Sequence, residues 1–491
     1  MKNIKYYISI LLMSVFMLTA LNKCADFGDI NYNPNSPSQS DTRFLFLFAE
    51  RYVRFFQMTG TYDPFTLIYA QYLAERTNIQ YTNFNLTTFA LTDYYRYPLK
   101  NLNEIIRLNE DESTKGASSV LGLCLDNDTQ IAMARTLKAY IYMHLTDVVG
   151  MIPYSEAIKA KEGNYTPKYD DQQAIYHDLI KELEEAYGQF DEGALFGDGR
   201  NYDIFYESNV ANWKRFNASI RMQASIKLFK NDEVTGKTAF AKAYNDGFIK
   251  ENSQSFKYAY KDDGDNNHPL YENMIGRVDF YPSGTIMNML QDYNDPRIGA
   301  YADKNMYGTY YGMPFGLTKE DAAQVNGDTV SWINSKYYQK DAIVMLITPS
   351  IMYFAAAEAA ERGWITDAAE DLYKKGIEKA FEQHGFTTSD YTTYYAQPTI
   401  QYAGTKEQKI AKIATQKWIA SYMQDSFEAW SDWRRLGVPD LRVGPSSTTI
   451  DHVPYRRIYD SGDYNANKAN YDAAIAAQGA DNRSTKVWWN K

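Results

Sequence analysis

Apolar residues recur at helical spacing along most of this chain, and one run has the pattern in its clearest form. Asp170 and Asp171 are residue types that readily cap the start of a helix. The apolar residues that follow share one face, namely Ile175, Leu179, Leu183, Ala186, Tyr187 and Phe190. The opposite face carries Lys181, Glu182, Glu184 and Glu185. Because similar runs recur, the pattern predicts an all-α fold; they span 92–110, 129–149, 209–230, 348–384, 405–437 and 468–479.

One of these runs has the small residues of a tetratricopeptide-type helical hairpin. Ala357, Ala360, Ala369, Tyr373 and Gly376 place small side chains and one aromatic ring where two such helices pack closely, and Gly363 falls at the turn. Between the helical runs lie stretches rich in tyrosine, asparagine and glycine, at 75–97, 193–206, 258–285 and 299–340. Long loops in a compact protein are usually functional. We therefore expect helical hairpins that carry a loop-rich binding face.

The amino terminus has the pattern of a secretory signal. Lys2 and Lys5 precede an apolar run at 8–21, which is shorter than the roughly 20 residues that span a bilayer. Cys24 follows, where bacterial lipoproteins carry their acylated cysteine, although Lys23 replaces the usual small residue. We expect a signal peptide at 1–23, lipidation of Cys24, an extended tether at 24–40 and one domain at 41–491. Plain secretion is the alternative.

Charge and cysteine content narrow the function classes. The 491 residues include 51 Lys and Arg against 61 Asp and Glu, a formal net charge of −10 without a basic stripe. Nucleic acid is therefore an unsuitable partner, and we expect membrane contact through the N-terminal lipid alone. Only Cys24 and Cys124 are present, too few for a disulfide framework, and Cys124 is interpreted as a small buried apolar residue. The 43 tyrosines are more unusual, because tyrosine combines a flat apolar face with a polar tip.

Motifs for catalysis do not stand out. The five histidines show no ligand spacing, and neither a phosphate loop nor a Gly-x-Ser-x-Gly turn occurs. We therefore expect no catalytic residue, no metal and no cofactor. The oxygen-rich stretch at 262–267 has two interpretations, a calcium site or a solvated turn. A glycosidase carboxylate pair stays open, because its separation cannot be read from sequence.

Several segments together resemble the SusD/RagB family, in particular its second, SusD-like subgroup. Among them are Gly150-Met151-Ile152-Pro153-Tyr154-Ser155-Glu156-Ala157 and Trp433-Arg434-Arg435-Leu436-Gly437. The others lie at 26–31, 33–35, 213–221, 295–297, 357–364, 416–420, 428–430, 454–457 and 487–489. The resemblance implies an all-α body of tetratricopeptide-like hairpins with a loop-rich ligand face. It also implies an outer-membrane location in Bacteroidetes-type bacteria and a SusC-like, TonB-dependent barrel as the partner that receives glycans or peptides.

The residues that mark this resemblance are interpreted as scaffold, because aromatics at helical spacing usually pack and arginines usually pair. They are Trp213, Arg221, Trp430, Trp433, Arg434, Arg435, Trp488 and Trp489. Ligand contact is assigned instead to loop residues, since sugar binders need flat rings beside amide groups. The candidates are Tyr81, Asn83, Tyr94, Tyr95, Tyr310 and Tyr311, with Gly308 and Gly312 allowing the rings to stand out. Tyr94 and Tyr95 have a second interpretation, as the start of the next helix.

The leading hypothesis is thus a surface lipoprotein that binds oligosaccharides and delivers them to a transporter. A peptide-capture lipoprotein of the same type is the alternative within the binding class. A secreted glycoside hydrolase is the rival from another class, because tyrosine-rich loops also suit an enzyme that binds sugars.

Overall fold

The computed structural model describes residues 40–56, 64–77, 79–85, 88–447 and 450–491, with backbone only for Phe55 and Phe56. Outside these ranges lie the predicted signal peptide, Cys24 and all of the predicted tether but its last residue. Asn78, in the predicted loop 75–97, lies outside them too. The chain divides into two compact units, Met1–Asp41 and Thr42–Lys491. The second unit carries every element described below.

Helices dominate this unit, as the sequence predicts. The longer ones are α1 (Thr42–Tyr52), α2 (Lys100–Glu110), α3 (Asn127–Val149), α4 (Gln172–Gln189), α5 (Val210–Lys227), α6 (Glu233–Asp246), α7 (Gly284–Asp292), α8 (Pro349–Glu361), α9 (Ala369–Gln383), α10 (Thr388–Tyr395), α11 (Lys406–Ala420), α12 (Ser426–Leu436) and α13 (Lys468–Gln478). Shorter α-helices lie at Phe65–Tyr69, Thr92–Tyr94, Leu270–Ile275, Ile298–Tyr301, Lys319–Gln324 and Ser461–Ala466. The all-α prediction is confirmed.

The start of α4 has the predicted cap. The Asp171 carboxylate accepts hydrogen bonds from the amides of Gln173 at 2.8 Å and Ala174 at 3.4 Å, which satisfies two amides that have no partner inside the helix. Ile175 and Leu179 are buried on the face that packs against α3. Local residue choice therefore determines both where this helix begins and which side it buries.

The predicted hairpin consists of α8 and α9, which pack along each other. Gly376 is needed at the crossing, because a Cβ there would lie 2.7 Å from the Phe354 ring. The Ser350 hydroxyl donates to the Gly376 carbonyl oxygen at 2.8 Å. Gly363 follows α8 with φ of +75°, a left-handed conformation that suits glycine at the end of a helix. The pairs α3–α4 and α5–α6 repeat this arrangement, giving tetratricopeptide-like hairpins.

Ten short strands lie in the described part of the chain, and they pair with one another to join separate segments. They are β1 (Leu73–Glu75), β2 (Thr88–Phe89), β3 (Ile152–Pro153), β4 (Tyr169–Asp170), β5 (Phe256–Ala259), β6 (Phe280–Pro282), β7 (Ala302–Asp303), β8 (Trp332–Ile333), β9 (Ile343–Ile347) and β10 (Ile458–Tyr459). The pairs β1–β6, β3–β4, β5–β9 and β7–β8 are antiparallel, and β2–β10 is parallel. In β1–β6, Leu73 faces Pro282, so two of the predicted loop regions are joined at their bases.

A buried network of charges joins the helices in the centre of the unit. Lys227 on α5 contacts Asp147 on α3 at 2.8 Å and Glu428 on α12 at 2.9 Å. Arg435 pairs with Glu358 on α8, with nitrogen–oxygen distances of 2.5 Å. All five side chains are at most 3% exposed. Charges this deep are stable only when they are paired and hydrogen-bonded, so this network fixes how four helices meet.

The residues that mark the family resemblance belong to this interior, as interpreted from the sequence. Trp430 is fully buried, and its Nε1 donates to the Pro454 carbonyl oxygen at 2.9 Å, while the Arg434 guanidinium lies 3.6 Å from its ring centre. The others are also buried except for Trp488, which is half-buried; they are Trp213, Arg221, Trp433, Arg435 and Trp489. Cys124 is buried too, and burial raises the pKa of its thiol to about 11.

Within the described ranges, no helix combines the length and the apolar composition needed to cross a bilayer. The same ranges hold no cluster of three or more histidine, cysteine or carboxylate side chains suited to a metal ion. At 262–267, the Asp263 carboxylate accepts hydrogen bonds from the Asn266 backbone and side-chain amides at 2.9 Å, and Asp262 pairs with Lys340 at 3.0 Å. Asp263 is thus used within the turn, whereas Asp262 pairs with a residue outside it.

Candidate functional site

Three loop segments that are far apart in sequence meet on one surface. We call this surface the loop face and define it as residues 76–85 (except 78), 303–333 and 440–447. Arg76 Nε donates to the Val325 carbonyl oxygen at 2.7 Å, and the rings of Phe84 and Phe315 lie 6.0 Å apart. The two tyrosine-rich regions that the sequence predicts as binding loops, around 81–85 and 307–311, are therefore parts of one surface.

The third segment closes the loop face through a close backbone contact. Gly316 has φ of +69°, and a Cβ on it would lie 2.3 Å from the Gly444 Cα. The Ser446 hydroxyl oxygen lies 2.7 Å from Asn83 Oδ1 and 2.7 Å from the Gly316 carbonyl oxygen. Asn83, a predicted ligand residue, is only 5% exposed. In this structure it connects two loops instead of presenting its amide to solvent.

The Glu75 side chain holds the backbone of the first segment through hydrogen bonds. Its carboxylate accepts hydrogen bonds from the backbone amides of Tyr81 at 2.8 Å and Thr82 at 2.9 Å. Burial raises the pKa of this carboxyl group to about 8, although these hydrogen bonds act in the opposite direction. Tyr81 itself is half-buried, with its ring 6.3 Å from that of Phe280. One side of this predicted binding ring is therefore packed against the protein.

The second segment presents an exposed tyrosine on a tight turn. Asn305 Oδ1 accepts hydrogen bonds from the backbone amides of Tyr307 and Thr309, both at 3.1 Å, while its Nδ2 donates to the Thr329 carbonyl oxygen at 2.8 Å. Gly308 has φ of +73°, as the turn requires. Tyr307 is 68% exposed. A side-chain amide and a glycine thus hold an aromatic ring out from the surface.

Tyr310 and Tyr311 follow the turn and differ in exposure. Tyr311 is 52% exposed, and its backbone forms hydrogen bonds with Ser331, whose amide donates to the Tyr311 carbonyl oxygen at 2.7 Å. Tyr310 is half-buried, and the pKa of its hydroxyl is raised by burial and by Asp303. Gly312 allows a close backbone approach and does not serve to turn the chain, because a Cβ on it would lie 2.5 Å from the Ser283 carbonyl oxygen.

The remaining two predicted residues lie away from these rings. Tyr94 is 5% exposed and stacks on Phe89 with ring centres 5.6 Å apart, so its ring is part of the core. Tyr95 is half-buried and begins a π-helical turn, Tyr95–Leu99. It lines a separate cavity of about 650 Å³. Both adopt the helix-start interpretation, and neither contributes to the loop face.

Sequence reasoning missed two side chains of the loop face. Met306, beside Tyr307, is 63% exposed. Trp332 is half-buried on β8, opposite Asp303 on β7, and its Nε1 donates to the Gly327 carbonyl oxygen at 3.2 Å. The Asn305-x-x-Gly308 turn could have drawn attention to Met306. No local pattern could have placed Trp332, because its position depends on strand pairing across 303–333.

Comparisons with known proteins agree on one family. The model of the SusD-like family, described as starch-binding associating with outer membrane, matches residues 34–460. A SusD homologue of Bacteroides fragilis has 22% identity and a TM-score of 0.77, covering 92% of this chain and 100% of its own. A chitin-binding SusD homologue of Flavobacterium johnsoniae has 24% identity and a TM-score of 0.72, covering 90% of this chain and 98% of its own. These likenesses show a shared fold. No curated protein matches the sequence.

Proposed function

Because this chain belongs to the SusD-like family, whose members are outer-membrane-associated binding proteins, we propose that it is a cell-surface lipoprotein that captures oligosaccharides. The observation that carries this proposal is the pair of exposed rings, Tyr307 and Tyr311, on an ordered loop face. Sugars present apolar C–H faces between hydroxyl groups, and tyrosine matches them with a flat ring and a polar tip. The starch-binding description of the family and the chitin-binding relative favour glycan over peptide.

Tyr311→Ala should weaken glycan binding about tenfold. Covering about 60 Å² of ring and sugar surface at about 25 cal/mol/Å² is worth about 1.5 kcal/mol, which is close to a factor of ten in Kd. Calorimetry with maltohexaose and chitohexaose measures the change, and circular dichroism verifies the fold. Phe44→Ala removes another exposed ring, 57% exposed on α1, and serves as the matched control.

Titrations with glycans and peptides, together with an assay for reducing ends, separate the three candidate functions. Binding of either glycan without release of reducing ends supports the proposal. Binding of casein-derived peptides with no glycan binding would favour peptide capture, and release of reducing ends from starch or chitin would favour a glycoside hydrolase. Unchanged affinity in Tyr311→Ala would place the ligand elsewhere.

We further propose that the captured glycan passes to a SusC-like, TonB-dependent outer-membrane barrel. A lipid-tethered binder that lies on the surface cannot by itself move a ligand inward, so uptake requires a transporter. Tethering both proteins to one membrane raises their effective concentration, and modest intrinsic affinity is then sufficient.

Purification of the native protein in mild detergent should therefore recover a large β-barrel in near-stoichiometric amount. The expected result is a second band in repeated preparations that mass spectrometry identifies as such a barrel. A strain without the gene should take up the glycan more slowly. Recovery of this chain alone, with full uptake in the deletion strain, would contradict the partnership.

A further inference from the structure

A second concave surface lies apart from the residues of the loop face. Three segments surround it: the helical stretch 91–107, the loop 153–169 and the stretch 463–467. The cavity they form has a volume of about 650 Å³, within the range of about 300–1,000 Å³ typical of small-ligand sites. None of its lining residues belongs to the segments that build the loop face.

Tyrosine rings form part of the cavity wall, and the fold holds two of them in place. The Tyr95 hydroxyl donates to the Pro153 carbonyl oxygen at 2.5 Å, and its ring lies 6.0 Å from that of Tyr142. Tyr169 is 8% exposed and packs edge-on against Tyr459 with ring centres 5.6 Å apart. At the rim, Tyr165 is 76% exposed. Rings held by the fold and one exposed ring at the entrance are a suitable surface for the face of a sugar.

Two backbone irregularities lie in the wall. Ile158 has φ of +63°, a region that a β-branched residue rarely adopts. Pro98 lies inside the π-helical turn Tyr95–Leu99, which interrupts the helix that continues as α2. Such strained residues and π-helical turns concentrate at functional sites. The turn also places both Tyr95 and Arg96 in the lining.

The charges around the cavity leave an excess of positive charge. Glu104 pairs with Arg107 at 2.8 Å and lies 4.0 Å from Lys161. Burial raises the pKa of Asp463, which accepts a hydrogen bond from the Leu91 amide at 3.0 Å and is thus held within the wall.

Two cations and one carboxylate remain at the rim. Arg96 and Lys100 are exposed, and neither forms a hydrogen bond or an ion pair in the part of the chain that the structure describes. Glu162 is the one further carboxylate among the lining residues. In a protein of net charge −10, two exposed cations beside aromatic walls favour a ligand that carries negative charge.

We propose that this cavity is a second carbohydrate site, which takes an oligosaccharide bearing a carboxylate, as in a uronic acid. A sugar ring stacks on Tyr95 and Tyr165, and the carboxylate pairs with the guanidinium of Arg96 and the ammonium of Lys100. Arginine suits this role because its planar donors match the two carboxylate oxygens. The site stands on its own residues and does not depend on glycan binding at the loop face.

Calorimetry of the full-length protein with trigalacturonate and its methyl ester tests the assignment. Esterification removes the negative charges and adds only a methyl group to each carboxyl group, so the ester should bind at least tenfold more weakly. The double variant Arg96→Ala/Lys100→Ala should weaken trigalacturonate binding about tenfold, as should Tyr165→Ala. Lys237→Ala/Lys406→Ala removes the same charge from two exposed positions elsewhere and should leave the affinity unchanged.

Tyr311→Ala distinguishes the two sites. Trigalacturonate binding that survives Tyr311→Ala but falls in Arg96→Ala/Lys100→Ala supports the cavity. Loss in Tyr311→Ala with no effect of the cavity variants would place the anionic sugar on the loop face and overturn this assignment while leaving the proposed function intact. Absence of trigalacturonate binding, or equal binding of its ester, would also overturn it.

Discussion

The Lys227→Met variant should have a free energy of unfolding about 3–5 kcal/mol lower than that of the parent protein. The Lys227 ammonium lies 2.8 Å from Asp147 Oδ2 and 2.9 Å from Glu428 Oε2, and all three side chains are at most 3% exposed. Burial lowers the pKa of Lys227, but the two carboxylates outweigh it and hold this pKa above its ordinary value. Methionine keeps most of the volume but leaves Asp147 without a cation, and Glu428 retains only Lys417, at 3.7 Å.

Urea unfolding followed by tryptophan fluorescence measures this loss. Lys237→Met is the matched control, because Lys237 is exposed on α6 and its replacement should change stability by less than about 0.5 kcal/mol. Where the Lys227→Met protein is still folded, its glycan affinity should equal that of the parent. Equal stability of the two variants would mean that the central network contributes little.

Cys24→Ala should release the protein from the outer membrane into the soluble fraction. Each buried CH₂ of an acyl chain contributes about 0.8 kcal/mol, and two or more chains make membrane attachment nearly permanent. Without the thiol, no acyl chain can be attached at this position. Fractionation of cells and immunoblotting of the membrane and soluble fractions measure the change.

The second cysteine provides the control for this experiment. Cys124 is fully buried, so Cys124→Ala should leave the protein in the membrane fraction. Mass spectrometry of the mature wild-type chain gives an independent answer. An unmodified Cys24 thiol there would contradict lipidation and favour plain secretion.

Much of the helical fold is predictable because its causes are local. Asp171 caps α4 through its own side chain, and the apolar spacing after it determines the buried face. The turn at Gly363 and the close packing at Gly376 likewise depend on residues within one hairpin. Predictions of this kind need only the period of a helix and the properties of caps.

Helix α6 is a part of the fold that the pattern did not predict. Its sequence contains Thr235, Gly236 and Thr238, which are poor helix formers. Packing against α5 explains it, since a Cβ on Gly236 would lie 2.8 Å from the Ser225 carbonyl oxygen. Helix α6 therefore forms because it packs closely against α5, which is a tertiary contact and not a local sequence preference.

The loop face could be predicted only in outline, for the same reason. Tyrosine and glycine content identified the segment around Tyr311, which is exposed. The same reasoning selected Tyr94, whose ring instead stacks on Phe89 in the core. Residue type cannot distinguish these two cases, because the exposure of a ring depends on what other segments pack over it. Asn83 is covered by Ser446, more than 350 positions later in the chain.

The turn centred on Asn305 has a thermodynamic consequence for ligand capture. One side-chain amide holds the backbone of Tyr307, Thr309 and Thr329, so the loop loses its conformational entropy when the protein folds. In the proposed glycan site, the Tyr307 ring would meet the sugar from a loop that is already ordered, and association would not need to order it again. Because no entropy of this loop is lost on binding, less of the favourable contact energy would be offset, and a few stacked rings would suffice to hold the proposed ligand.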